Sequence, residues 1–258
     1  MRKLLTLGFV AVILIFSALI TLGNWSLNDD KKQAADDSAK NPGVSISFPQ
    51  IEEQKIAEAL LQKTLSQTTK ILGENATKKL ADDLSKEIVE KNPNGPGPLG
   101  SQKISVPQAE EIVADFLQKG VDNFNYEELK PAIADSDLNI VGDDPAALAR
   151  YYKNFFEILS GNFNLGPAES DPQNSLDILV SVYENYIKKF YLLETPEKFA
   201  DIQKQQISLL AAQRNIYRLM RDYENDPLKA VLAMKALDTV KQETADLYTK
   251  LAKTVAKI

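Results

Sequence analysis

Residues 194–230 read ETPEKFADIQKQQISLLAAQRNIYRLMRDYENDPLKA, and this stretch decides the fold. Thr195-Pro196 and Asp226-Pro227 each place a proline directly after a residue type that caps helix N-termini, which predicts two helix starts. Apolar residues recur at helical spacing after both prolines. Because only a few residues connect these helices, consecutive helices are expected to run antiparallel.

The same start and stop signals occur upstream. Asp143-Asp144-Pro145 predicts a helix start and Gly161 its end, and Asp171-Pro172 predicts the start of the next helix. That next helix carries apolar residues on nearly every side, so we expect it to be a central, largely buried helix. No strand-like alternation of useful length appears. The predicted fold class is all-α, an antiparallel up-and-down helical bundle.

The segment 92–100, NPNGPGPLG, has too many prolines and glycines for a regular element. We interpret 92–106 as a Pro/Gly linker between stalk-proximal helices at 51–91 and a C-terminal bundle domain at 107–258. The first of those helices has a narrow apolar stripe and needs a partner, in the same chain or in a second copy. A short helix is also predicted from Gln108 to Lys119, with Gly120 as its stop. Its apolar side consists of Ile112, Val113, Phe116 and Leu117.

The N-terminus begins MRKLLTLGFVAVILIFSALITLGNW. Residues 4–22 carry no charge and at ~1.5 Å per helical residue reach ~28 Å, which is enough to span the hydrocarbon core of a bilayer. Arg2 and Lys3 precede the span, so the N-terminus is expected in the cytoplasm and the rest outside it. This predicts a transmembrane signal anchor at 1–23, a flexible stalk at 24–50, and a single-pass protein of the cell membrane. The alternative is a secreted protein whose signal is cleaved.

Composition argues against several classes of function. The chain has 258 residues with no histidine and no cysteine, the usual general bases, nucleophiles and transition-metal ligands. Its net charge is −6, and no extended basic cluster appears, so nucleic acid is not an expected partner. The sequence therefore predicts no enzyme, and it assigns no catalytic residue, no metal ligand and no cofactor.

Carboxylates concentrate in residues 107–150, which hold ten acidic and three basic residues. Within this segment Asp135, Asp137 and Asn139 alternate as in the first half of an EF-hand loop. Ile140 and Ala146 occupy the positions that require Gly and Glu, so loop 135–144 is interpreted as a solvated connector, with a calcium site as the open alternative. A basic partner that docks on the acidic segment is a second open alternative to a merely solvated face.

Two further patterns have both a structural and a functional interpretation. The stripe Tyr151, Tyr152, Phe155 and Phe156, like Tyr183, Tyr186 and Tyr191, could line a ligand pocket, but helical spacing favours core packing. Glu169-Ser170 is superficially like the acid of a carboxylate-only glycan hydrolase. It stands in a Pro- and Gly-bounded loop, so this hydrolase is the least favoured function.

The leading functional hypothesis is a membrane-anchored, extracytoplasmic scaffold or envelope-assembly subunit that acts by protein–protein contact. It follows from long helices without a catalytic constellation. Protein partners are expected, and a homo-oligomer stays open. The alternative from another class is an extracytoplasmic, sensory-type bundle that binds a small ligand.

Overall fold

Six helices form the architecture of the chain, as a computed structural model describes it for residues 51–69, 73, 75–91, 114–115, 118, 120, 124–161 and 172–256. They are α1 Ile51–Gln67, α2 Ala76–Lys91, α3 Pro145–Ser160, α4 Pro172–Tyr191, α5 Ala200–Arg221 and α6 Pro227–Val255. The all-α prediction is confirmed. All the described residues belong to one compact unit, Pro49–Ile258.

The predicted anchor at 1–23, the stalk at 24–50 and the linker at 92–106 lie outside the described residues. Within the described ranges, no helix is both long enough and apolar enough to cross a membrane. The helices at 51–91 belong to the same compact unit as the C-terminal helices.

Capping residues explain where several helices begin. The Asp144 carboxylate accepts hydrogen bonds from the backbone N–H groups of Ala146 and Ala147, both at 2.9 Å, and α3 starts at Pro145. Asp226 likewise accepts from the Lys229 N–H at 3.2 Å at the start of α6. Both starts are where the sequence predicts them, because each aspartate satisfies amide groups that have no partner within the helix.

The helix after Thr195-Pro196 starts later than predicted. Thr195–Pro196 forms a short strand, β2, which pairs in parallel with β1, Ile140–Val141, and a 3₁₀ turn at Glu197–Phe199 follows before α5. The Thr195 N–H donates to the Asn139 carbonyl at 2.8 Å, and the Lys198 N–H donates to the Asp143 carboxylate at 3.0 Å. These contacts with the 139–143 segment hold the chain extended, so that α5 begins at Ala200.

The order of packing places α5 at the centre of the bundle. It packs between α4 and α6, while α1 packs on α4, α2 on α6, and α3 on α4 and β2. Twelve of the 22 residues of α5 are buried. α4, which was expected to be central and largely buried, contacts α1, α3 and α5 and buries residues such as Ile187 and Phe190. A stripe on α4 that includes Ser181, Asn185 and Lys189 remains exposed.

α1 finds its partner in its own chain, and its buried side combines an apolar leucine with small and hydroxylated residues. Ile56 is 58% exposed, whereas the buried residues are Ala57, Leu61, Thr64 and Thr68. The threonines can be buried because each hydroxyl donates to a carbonyl of its own helix, such as Thr64 Oγ1 to Leu61 O at 2.7 Å.

Candidate functional site

A groove lies between α5, α6 and the segment that precedes β1. Its volume is about 360 Å³. Leu209 and Pro131 are buried beneath it, and the Ser208 hydroxyl donates to the Pro131 carbonyl at 3.0 Å, which fastens the segment to α5. The lining residues are Lys130, Pro131, Ala132, Ile133, Asp201, Lys204, Gln205, Ser208, Leu209 and Glu243.

Each lysine of the groove lies between two carboxylates. Lys130 Nζ lies 2.8 and 2.9 Å from the Glu243 oxygens and 2.7 Å from Glu127 Oε1. Lys204 Nζ lies 2.8 Å from both Asp135 Oδ1 and Asp201 Oδ1. Each group of three charges therefore has a net charge of −1, so the edges of the groove are electrostatically suited to a cation.

Hydrogen bonds shift the pKa values of Lys130, Lys204 and Asp201 in the direction of full ionisation. Burial alone lowers the pKa of Lys130, but the bonds to Glu127 and Glu243 outweigh it and raise the pKa. The bonds to Asp135 and Asp201 raise the pKa of Lys204, and the bond from Lys204 lowers the pKa of Asp201. At neutral pH Lys130, Lys204 and Asp201 are therefore held in their charged forms.

The acidic loop 135–144 does not gather its oxygens around one point. Asp135 binds Lys204, while Asp137, which is 9% exposed, binds Lys63 on α1 at 2.7 and 2.8 Å. Asp143 and Asp144 accept backbone N–H groups, as described above. Among the described residues no group of three or more potential metal-ligating side chains occurs. The structure thus uses this loop as a connector that contacts α1, α3 and α5.

The aromatic stripe on α3 packs partly into the core. Tyr151 and Phe155 are buried, and Tyr151 stacks on Phe199 with ring centroids 4.7 Å apart. The Tyr151 hydroxyl donates to Gln203 Oε1 at 3.0 Å, and burial raises the pKa of Tyr151. Tyr152 and Phe156 are half-buried. Tyr186 and Tyr191 are also buried, and Tyr183 is half-buried. Core packing, rather than an open aromatic pocket, is the arrangement found for the buried members.

Arg214 on α5 is fully buried. No pattern in the sequence indicates that this arginine lies in the core. Its Nε and one terminal nitrogen donate to Asn215 Oδ1, and the other terminal nitrogen donates to Thr64 Oγ1 of α1 at 3.0 Å. Asn215 in turn donates to the Leu129 carbonyl at 2.9 Å. Burial lowers the pKa of Arg214 to about 10, so it remains charged at neutral pH. The network joins α1, α5 and the segment beside the groove.

Asp226 joins the N-termini of two helices. Besides capping α6, its carboxylate accepts from the Ala76 and Thr77 N–H groups of α2 at 2.7 and 3.0 Å, and from the Thr77 hydroxyl at 2.7 Å. The Thr77 hydroxyl oxygen accepts from the Leu228 N–H at 3.0 Å. Each helix thus caps the other, and one carboxylate serves the positive ends of two helix dipoles.

The sequence did not single out the groove as a site. Its charged residues come from widely separated segments, and only Glu127, Lys130 and Asp135 of them belong to the acidic region that the sequence marks. Glu169, the acid of the hydrolase hypothesis, lies outside the described residues. Comparison of the chain with protein-family models, curated proteins and solved structures gives no match.

Proposed function

We propose that this chain is a membrane-anchored, extracytoplasmic helical scaffold that binds a protein partner through the groove between α5 and α6. The apolar run at 4–22 supports the anchor, and the acidic excess of 107–150 supports a partner with basic side chains. The single observation on which the proposal depends is the groove itself, where carboxylates outnumber lysines around an apolar floor.

The chemistry of the groove defines the partner's contact. Lysine and arginine have apolar stems and charged ends, so a basic side chain can lie along the half-buried Ile133 while its charge meets an edge carboxylate. Glu127 and Asp201 are 66% and 78% exposed, so both remain accessible while they bind their lysines. Exposed pairs of this kind gain little from each other, which leaves these carboxylates available to a second cation.

Photo-crosslinking in intact cells tests the proposal. A photoreactive residue at Ala132, on the groove, should crosslink to one defined protein, and one at Ala81 of α2 should not. Reversing Glu127 and Asp201 together to lysine should reduce that crosslink about tenfold or more, because like charges then face each other. Asp238→Lys, at an 88% exposed residue of α6 outside the groove lining, is the matched control. Equal loss in both variants would refute docking at the groove.

A second candidate function is binding of a small cationic ligand at the same groove. The volume of about 360 Å³ falls within the range of small-molecule sites. A thermal-shift screen of the bundle with agmatine and spermidine separates the two candidates, because a ligand that binds only the folded state raises the melting temperature. A shift that Glu127→Lys/Asp201→Lys abolishes would favour the ligand-binding module, and no shift would leave the scaffold as the function.

A further inference from the structure

The guanidinium of Arg214 on α5 is a buried charge that lacks an ion pair among the described residues. Its side chain is fully buried, and its three hydrogen bonds go to Asn215 Oδ1 and Thr64 Oγ1, which are neutral acceptors. Burial lowers the pKa of Arg214 to about 10, and Glu184 acts on it only through a Coulombic interaction. A buried cation without a bound carboxylate is costly, so hydration would lower the free energy of this group.

A second polar group near Arg214 is also unsatisfied. Tyr191, at the end of α4, is 3% exposed, and its hydroxyl has no hydrogen-bond partner among the described residues. Burial and Asp137 raise the pKa of Tyr191, whereas the charge of Arg214 lowers it, so the two side chains are close enough to interact electrostatically. An unpaired buried hydroxyl costs free energy. Both groups would therefore gain hydrogen bonds if water reached them.

α1 covers Arg214 through a contact that contains little apolar surface. Thr64 of α1 accepts the one hydrogen bond that Arg214 donates to a described residue outside its own helix, at 3.0 Å. Thr64 is 1% exposed, so the two side chains are buried against each other. Among its described side chains α1 buries only Ala57 and Leu61 as apolar groups, which is less than a full apolar stripe. The attachment of α1 therefore depends largely on polar groups.

Two ion pairs with exposed members hold α1 on the bundle. Lys63, 44% exposed at its side chain, binds Asp137, and Glu58, 49% exposed, binds Lys188 of α4. Water competes for the exposed member of each pair, which limits how strongly the pairs hold α1. Gly73, between α1 and α2, is exposed, and a side chain built on it would meet no atom within 4 Å. This glycine can serve as a pivot for α1, because glycine adopts more backbone conformations than other residues.

We propose that α1 is a detachable strap, which lifts from α4 and α5 while the rest of the bundle stays folded and so exposes the Arg214 guanidinium to water. Lifting costs a small apolar contact and two partly exposed ion pairs. It hydrates a buried cation and the Tyr191 hydroxyl, which offsets part of that cost. Segments with few buried apolar contacts are the ones that open locally in folded proteins. No described residue of α1 lines the groove, so this inference does not depend on the proposed function.

Native-state hydrogen exchange in the full chain tests the lifting of α1. Amide hydrogens of α1 should exchange at least about tenfold faster than those of α5, and low concentrations of urea should hardly change their rate, because a local opening exposes little surface. Amide hydrogens of α5 should exchange only through global unfolding, so urea should accelerate them steeply. The same urea dependence in both helices would overturn the inference.

Chemical labelling tests the exposure of Arg214 directly. Phenylglyoxal modifies accessible guanidinium groups, and mass spectrometry of peptides gives the rate at each arginine, with Arg150, 59% exposed at its side chain, as the internal reference. Lys63→Met should accelerate the labelling of Arg214 about tenfold, because it removes a charged hydrogen bond that holds α1. Lys86→Met, which breaks an exposed pair within α2, is the matched control and should leave the rate unchanged.

The two parts of the inference fail in different ways. Labelling of Arg214 that requires global unfolding in urea would show that α1 does not lift on its own. Faster amide exchange of α1 in Lys63→Met, without faster labelling of Arg214, would show that another segment covers the arginine, and the strap would then be wrong. If Lys63→Met does not fold, the urea dependence of exchange in the unaltered chain still decides the outcome.

Discussion

The three helices α4, α5 and α6 are held together differently from α1 and α2. The central helices bury large aliphatic and aromatic side chains against each other, among them Phe190, Ile207 and Leu247. Among its described side chains α1 buries only Ala57 and Leu61 as apolar residues, and it is fixed by Thr64–Arg214 and Lys63–Asp137. The start of α2 is fixed by Asp226. Apolar burial thus supplies the core, and polar contacts set the position of the N-terminal helices.

The largest effect we expect comes from the core. Phe190→Ala removes a fully buried ring that meets Phe155 edge-on with centroids 5.1 Å apart, and it should lower the free energy of unfolding by about 3–5 kcal/mol. Ile56→Ala, at an exposed position on α1, should change it by less than about 0.5 kcal/mol. Urea denaturation measures both. Similar losses would mean that α1 contributes to the core as much as α4 does.

The next effect distinguishes a shared cap from an ordinary one. Asp226→Ala leaves N–H groups of both α2 and α6 without their acceptor, so we expect a loss of about 2–3 kcal/mol, whereas Asp144→Ala, which removes the cap of α3 alone, should cost about 1 kcal/mol. Urea denaturation at neutral pH gives the ratio. Equal losses would show that the contacts from α2 to Asp226 add no stability.

A smaller effect should come from the ion pair that holds α1. Lys63→Met removes the ammonium from Asp137, which is 8% exposed at its side chain, and we expect a loss of about 1–2 kcal/mol. Lys86→Met breaks the exposed pair with Asp83 and should change stability by less than about 0.5 kcal/mol. Limited proteolysis adds a local readout, because the first variant should expose α1 to cleavage before the rest of the bundle.

The smallest effect concerns pH. Burial alone raises the pKa of Asp226, but bonds from Thr77, Ala76 and Lys229 outweigh it and hold the pKa below its usual value. The unfolded chain therefore takes up the proton first on acidification, so the stabilisation is present at neutral pH and declines as pH falls from about 5 through the folded pKa. Asp226→Asn should lose less stability than the parent between pH 5 and pH 3. An unchanged pH dependence would contradict this assignment.

Local signals predicted the core better than they predicted the N-terminal helices. Asp144-Pro145 and Asp226-Pro227 mark helix starts because a capping aspartate binds backbone N–H groups only two or three residues further along the chain. The late start of α5 depends on Asn139 and Asp143, more than 50 residues away, so no local pattern contains it. The burial of Thr64 and Thr68 on α1 was not predicted, because threonines count as polar until their hydroxyls bond within the helix.

The candidate groove was unpredictable for a related reason. Lys130, Lys204 and Glu243 are ordinary surface residue types in their own helices and turns, and only the packing of α5 between α4 and α6 brings them together. The acidic segment 107–150 was visible in the sequence, but composition alone does not show which carboxylates already hold a lysine. The fold determines which carboxylates form ion pairs with lysines, and these ion pairs determine where net negative charge remains.

The carboxylate shared by α2 and α6 has a consequence for biosynthesis. Ala76 and Thr77 contact a residue about 150 positions later in the chain, and Thr64 contacts Arg214 at the same separation. At about 5–20 residues per second, the ribosome needs on the order of 10–30 s to deliver these acceptors and donors. The polar contacts that fix α1 and α2 therefore cannot form until α5 and the start of α6 have been synthesised. A chaperone that binds residues 51–91 during this interval would protect these helices before they dock.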